Sequence, residues 1–252
     1  MNRISAVIIT KNEETNIEGC LQSVKWADEI IAVDSISIDR TVEICKRYTN
    51  KVYLKPFESF EKQKNYGAEM ASSEWIFSID ADERCTEELE RELRAAAERD
   101  DFDGYKIPLK NYFLGRYIKY VYGNAAPLRF YRKDKGIYEG YVHEKFDLNG
   151  KAGILNNYLI HIGYKSIDEL ISKIPLYTNL EAKMKYERGE EFSIFKAILS
   201  ALHVVWLRLI KLRGYKDGTH GIVIVAFMAI YILIIHFKLW ELHNKEDKPE
   251  TT

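Results

Sequence analysis

The chain of 252 residues is long enough for one α/β domain with an added element, and 46% hydrophobic with 30% charged residues excludes wholesale disorder. With 37 basic against 38 acidic residues, a net charge of −1, it lacks the field of a nucleic-acid binder, and no nucleic-acid partner is expected. Cys20, Cys45 and Cys85 match no metal-ligand spacing and read as buried thiols in a reduced compartment.

Residues 1–10 do not read as a secretory signal. The apolar run is short, no small-residue cleavage site follows it, and Lys11, Glu13 and Glu14 come at once. A cytoplasmic protein is therefore expected. Ala6-Val7-Ile8-Ile9 is a short apolar run, as in a strand buried on both faces. Residues 16–26 carry Ile17, Leu21 and Val24 at helical spacing. A second buried strand over 29–33 ends at Asp34, and a helix is predicted over 39–48. A third strand over 51–54 stops before Pro56. A polar helix over 59–70 leads to a fourth strand, 74–79, ending at Asp80. Thr86 then opens another helix as its N-cap. This alternation predicts an open, mainly parallel α/β sheet flanked by helices. Such sheets bind ligands beyond the carboxyl ends of their strands, where Thr10, Asp34 and Asp80 fall. Residues 104–164 mix short β-like pieces with glycine and aromatics, and read as the acceptor-side half of the same domain, 1–190.

The region 191–243 differs. Between residues 193 and 216 there is no acid, while Lys196, Arg208, Lys211, Arg213 and Lys216 are basic. A broad apolar face with a basic edge predicts an amphipathic helix on a membrane surface. The apolar run 222–235 is shorter than the roughly 20 residues that span hydrocarbon. Membrane association without crossing is expected, and residues 244–252 read as a disordered polar tail.

Chemistry concentrates in Ser78-Ile79-Asp80-Ala81-Asp82-Glu83. If the backbone stays extended there, Asp80 and Asp82 project to one side, and hard oxygen ligands at that spacing can hold Mg²⁺ or Mn²⁺. A solvated acidic turn before the Thr86 helix is the alternative. Thr10-Lys11-Asn12-Glu13-Glu14 is a polar turn without the glycines of a dinucleotide or P-loop site; its hydroxyl and amide groups can face a nucleobase. Asp34, in the loop 34–39, can accept a uracil N–H or a ribose hydroxyl. Ordinary turn and cap chemistry remains open for both loops. His161 reads as a residue that packs or bonds locally.

Order and spacing of these pieces resemble the family 2 glycosyltransferases. The matching stretches are VIITKNEETNIEGCLQSV, WADEIIAVDSISIDRTVEI, FEKQKNYGAEMA and WIFSIDADE. The later IPLKNYFLGR, LRFYRK, YVHEKF and RGYKDGTHG resemble the branch with lipopolysaccharide core β-1,4-glucosyltransferases. One departure is Ile36, where the family has glycine or another small residue. The resemblance implies a GT-A fold and an inverting transfer from a UDP-sugar, glucose first, to a glycolipid or oligosaccharide acceptor at the inner membrane face. It implies a divalent cation on Asp82. Thr10 and Asp34 would contact uridine, with Asn12 and Glu13 near the nucleotide. Lys64 and Asn65 would line the donor pocket, and Asp80 would lie near ribose or sugar. Glu144 would be the general base, with His143 orienting it, binding diphosphate or assisting the metal; a surface salt-bridged pair is the alternative for these two. Arg129 and Arg132 are candidates for donor diphosphate or acceptor phosphate because a guanidinium meets phosphate bidentately, with a purely structural role on their strand as the alternative. Two other readings stay open: a sugar nucleotidyltransferase, which would want a glycine- and arginine-rich first turn, and a non-catalytic membrane-associated sugar-nucleotide binder.

Overall fold

The computed structural model describes residues 2–140 and 145–246. The chain divides into two compact units, Met1–Lys110 with Asn124–Ile162, and Asn111–Gly123 with Gly163–Thr252. The strands are β1 (Ile4–Thr10), β2 (Glu29–Asp34), β3 (Val52–Leu54), β4 (Trp75–Asp80), β5 (Glu83–Cys85), β6 (Gly104–Lys106), β7 (Leu109–Phe113), β8 (Arg116–Tyr117), β9 (Leu128–Arg132), β10 (Gly136–Glu139), β11 (Lys145–Leu148), β12 (Ala152–Ile154) and β13 (Leu159–His161). The helices are α1 (Ile17–Ser23), α2 (Thr41–Lys46), α3 (Phe60–Met70), α4 (Glu87–Ala97), α5 (Ile167–Glu187), α6 (Ile194–Val205) and α7 (Thr219–Glu246).

The first unit is built on a sheet of order β12-β6-β9-β4-β1-β2-β3, in which β9 alone runs against its neighbours. This is the mainly parallel sheet expected. Its inner strand β1, next to the central β4, is almost wholly buried because both faces are covered. Alternate residues serve opposite cores: Ala6 and Ile8 join Phe77 and Leu89, while Val7 joins Ile31 and Ile76. Helix α3 lies close on the second face. A Cβ on Gly67 would meet Val7 Cγ1 at 2.4 Å, so only glycine allows that approach. The chain winds from β1 through β2 to β3 on one side, then returns to β4 on the other. The crevice at that reversal is where such sheets bind ligands. Register delivers the strand ends together, Thr10 opposite Asp34 and Ile9 opposite Asp80.

The second unit holds α5, α6, α7 and the hairpin of β7 and β8, whose tight turn uses Leu114 and Gly115 at positive φ. Its core joins Phe113, Ile118 and Val121 to Leu170, Ile224 and Val225. Residues 111–123 and α5 therefore belong with the C-terminal helices. The division falls at Gly163 rather than at the expected residue 191, because the apolar side of α5 shares that core. Asp217 closes the unit by accepting the backbone N–H groups of Lys119, Tyr120 and Val121 at 3.0, 2.9 and 2.9 Å.

The helix containing the 222–235 run is longer than that run. Over Thr219–Lys245, 27 residues, it is long and apolar enough to cross a membrane by length and composition, which overturns the length argument against a span. Helical geometry continues through His236 and Lys238, residues that break the apolar run but not the helix. Residues 244–246, read as tail from their polarity, are helical; the rest of that tail lies outside the described residues.

Candidate active site

Two loops follow the strand ends. Thr10 is buried, and its Oγ1 has no hydrogen-bond partner among the described residues. An unpaired buried hydroxyl costs about 1–3 kcal/mol, which a bound polar group would recover. Asp34 is fully buried. Its Oδ1 accepts the Ser37 N–H at 2.7 Å and its Oδ2 the Ser37 hydroxyl at 2.5 Å. Asn12 ties the loops together: its N–H donates to Ser37 Oγ at 2.7 Å, and its Oδ1 accepts the Ile38 N–H at 2.9 Å. Glu13 donates its N–H to Thr41 Oγ1 at 2.8 Å, and its carboxylate accepts from Asn16 Nδ2 at 2.7 Å. Ile36 sits at φ +59, a left-handed conformation that costs a side-chain-bearing residue about 1–2 kcal/mol. A glycine would adopt it freely.

The acidic segment does not stay extended. Strand β4 ends at Asp80, and residues 81–82 form a turn. The two aspartates consequently find different partners. Asp80 receives the guanidinium of Arg129, Nη1 to Oδ1 at 3.3 Å and Nη2 to Oδ2 at 2.5 Å, and Lys64 Nζ at 3.3 Å. Burial by itself would raise its pKa, but the charges of Arg129 and Lys64 hold it well below the usual carboxylate range. Glu83 accepts the Asp80 N–H at 2.9 Å and meets Arg129 Nη2 at 3.2 Å. Burial pushes its carboxyl pKa up despite that guanidinium. Asp82 instead lies 3.3 Å from His161 Nε2, at the end of β13. Strand β13 pairs with β5, and the Ile162 N–H donates to the Asp82 carbonyl at 2.9 Å. Burial works against the imidazolium, but the hydrogen bond and charge of Asp82, with Glu83 and Asp80 behind it, raise the His161 pKa to about 9. Arg84 braces the turn, donating to the carbonyls of Ala81, Glu83 and Asn16 at 3.1, 2.8 and 2.7 Å.

Of the residues singled out from sequence, Thr10, Asp34, Lys64, Asp80 and Asp82 gather at this edge, and Arg129 joins them facing the carboxylates rather than open space. Asn65 does not present its amide to the crevice. Its Nδ2 and Oδ1 both bond the backbone of Tyr138, each at 2.9 Å, which clasps α3 to β10. Arg132 is placed elsewhere altogether. It pairs with Trp75 at the start of β4, bound to Glu74 and to Asp100 at 2.8 Å, roughly 15 Å of strand away from Asp80. Alternation along β9 and its antiparallel direction carry Arg129 and Arg132 to opposite ends. His143 and Glu144 lie outside the described residues. The residues that sequence reasoning missed as site members are Glu83 and His161. Glu83 was visible only as a third acid in a run, and His161 only as a histidine closing a short apolar strand. A cleft of about 750 Å³ lined by Glu29, Lys51, Arg47 and Tyr48 opens at the opposite, amino-terminal edge of the strands and contains none of these groups.

The profile of glycosyl transferase family 2 matches residues 5–159, and the chain belongs to that family. It is 33% identical to an uncharacterised glycosyltransferase of Rickettsia typhi, over 97% of this chain and 89% of that one. It is 30% identical to the lipopolysaccharide core biosynthesis glycosyltransferase LpsC of Rhizobium meliloti, over 98% of this chain and 95% of that one. Among solved structures it is similar to glucosyl-3-phosphoglycerate synthase of Mycobacterium tuberculosis, a complex with Mn²⁺, UDP and glucosyl-3-phosphoglycerate, with a TM-score of 0.50 and 15% identity over 76% of this chain and 82% of that one. The fold is the GT-A fold of glycosyltransferases.

Proposed function

We propose that this family 2 glycosyltransferase moves a hexose, glucose first, from a UDP-sugar to a glycolipid acceptor of cell-surface glycan synthesis, with inversion, at the cytoplasmic face of the membrane. The observation that carries the donor reading is the convergence of Thr10, Asp34 and Asp80 at the switch point of the sheet, with the buried Thr10 hydroxyl unpaired. Asp34, with an acceptor position left on each oxygen, suits a uracil N–H or ribose hydroxyl. The glycolipid acceptor and the membrane setting draw support from likeness to LpsC and from the apolar C-terminal helix.

The donor set at Asp82 fits a divalent cation. A carboxylate oxygen and an imidazole nitrogen stand 3.3 Å apart, a mixed set that Mn²⁺ accepts, and a cation bound there would displace the proton that the Asp82 charge favours on His161. A cation held by these two side chains alone would keep positions for diphosphate oxygens. A bound cation would supply charge stabilisation to the departing diphosphate. Asp80 is kept ionised and fixed by Arg129 and Lys64, which suits it to accept donor hydroxyls. Glu144 takes the acceptor proton as the general base in this reading.

The test is a donor screen by calorimetry with and without Mn²⁺. Wild type should bind one UDP-sugar with Mn²⁺, and Asp82→Asn and His161→Ala should each weaken that binding more than tenfold, about 1.4 kcal/mol, with the native circular dichroism spectrum retained at the assay temperature even though loss of the pair lowers the melting temperature. Wild-type affinity in both variants would remove the pair from the donor site.

A further inference from the structure

The face that α6 turns away from its neighbours is apolar and uncovered. Phe195, Ile198, Leu199, Leu202, Trp206 and Ile210 form one stripe along α6 and the following π-helical turn Trp206–Lys211, and all are between 46% and 68% exposed. Their spacing of three and four residues keeps them on one side. The opposite side is lined by the buried small residues Ala197 and Ala201, which let α6 lie close on α7. Helix α7 adds Ile222, Ile230, Phe237 and Trp240, again exposed and again on one side. An uncovered apolar surface of this extent is not normal for a soluble monomer.

The surrounding charge is one-sided. Residues 111–123 and 193–240 hold eight basic residues, Arg116, Lys119, Lys196, Arg208, Lys211, Arg213, Lys216 and Lys238, against the single acid Asp217. That one carboxylate is buried and taken up by three backbone N–H groups. Most of the positive charge gathers at the turn between α6 and α7. Trp206 and Trp240 sit near opposite ends of the pair, as tryptophans do at a headgroup boundary.

Helix α5 decides the topology. It runs along the second half of α7, bonded through Glu181 to Tyr231 at 2.6 Å, and through Thr178 and the Pro175 carbonyl to Lys238 at 2.7 and 3.2 Å. The outer side of α5 exposes Asp168, Ser172, Asn179, Lys183 and Glu187, with Ile171, Pro175 and Leu176 exposed among them, so three charged residues lie on that side. If α7 crossed a bilayer, that side would enter hydrocarbon, where a single charged residue costs roughly 2.5–3.5 kcal/mol.

We propose that the outer faces of α6 and α7 dock flat on an anionic phospholipid leaflet, with the basic turn among the headgroups, and that α7 does not cross the bilayer. The proposal rests on the membrane reading above and adds the contact surface, its charge requirement and its topology. The full chain should float with vesicles of phosphatidylcholine and phosphatidylglycerol and bind weakly to phosphatidylcholine alone. Lys211→Gln and Lys216→Gln should each cost about fivefold on the anionic vesicles only. Phe195→Ser with Leu202→Ser should cost roughly tenfold or more on both, since buried apolar area is lost. These side chains are exposed, so circular dichroism melting should be unchanged. The native cysteines are all buried. Thr219→Cys and Asn244→Cys, bound to the outside of preformed vesicles, should therefore both react with an impermeant maleimide. Protection of Asn244→Cys alone would mean that α7 crosses and would overturn the proposal. So would absence of vesicle binding, or self-association that Phe195→Ser abolishes without vesicles, which would assign the face to a second copy. UDP release from donor without vesicles reports the transferase reading separately; its failure with flotation intact strikes that reading and not this one.

Discussion

Replacing Arg129 by Met tests whether the carboxylate cluster behind the site is held by that one guanidinium. Arg129 is 8% exposed and makes contacts of 3.3 and 2.5 Å with Asp80 and 3.2 Å with Glu83. Methionine preserves much of the volume and leaves the buried Glu83 and the partly exposed Asp80 with Lys64, 3.3 Å from Asp80, and the more distant His161 as the cations that remain. Removing one partner of a buried ion pair costs about 3–5 kcal/mol, a large part of the roughly 5–15 kcal/mol of a typical domain. The variant should remain folded but marginal at pH 7. Its stability should then increase as the pH falls. Glu83 already has a raised pKa in the wild type, and Asp80 should lose its depression. Glu83 would then bind its proton more tightly folded than unfolded, and a native state that holds more protons gains stability toward acid. Adding Glu83→Gln should restore about half of the loss, because one of the two uncompensated charges is gone. Urea unfolding at pH 7 and pH 5 measures all of this. A loss below about 1 kcal/mol, or one independent of pH, would refute the assignment of Arg129 as the holder of the cluster.

Other outcomes follow from the same geometry. Burial works to raise the Glu29 pKa, but Lys51, Ser5 and Ser72 outweigh it and hold it at about 2. Its contribution, on the order of 3 kcal/mol, should be full above about pH 4.5 and fade as pH falls toward 2; acid titration of Glu29→Gln should lack that component. Asn65→Ala should cost roughly 1–3 kcal/mol of stability by freeing the Tyr138 backbone, while calorimetry finds donor affinity nearly unchanged. Glu144→Gln should keep donor binding and lose on the order of 10²–10⁴ in turnover; normal turnover would place the base elsewhere.

Local pattern determined much of this protein. Continuous apolar runs and capped helical periods specify β1, β2, β4 and α4, because strands buried on both faces carry few polar residues between their ends. Alternating strands and helices permit few topologies, so the parallel sheet and its carboxyl edge, with Thr10, Asp34 and Asp80, are legible in the sequence alone. Tertiary structure decided what those side chains face. Asp80 and Asp82 are two residues apart, yet the turn at 81–82 gives one to Arg129 and the other to His161, partners 49 and 79 residues further along the chain. Asn65 stands beside Lys64 but spends its amide on Tyr138. Arg129 and Arg132 share a strand of five residues and end at opposite edges of the sheet. The extent of α7 was hidden because composition breaks at His236 while backbone hydrogen bonding does not. The membership of residues 111–123 depends on apolar contacts with helices far along the chain. Sequence pattern reports what each segment buries; which distant group meets a buried charge depends on register and packing, and neither has a local signature.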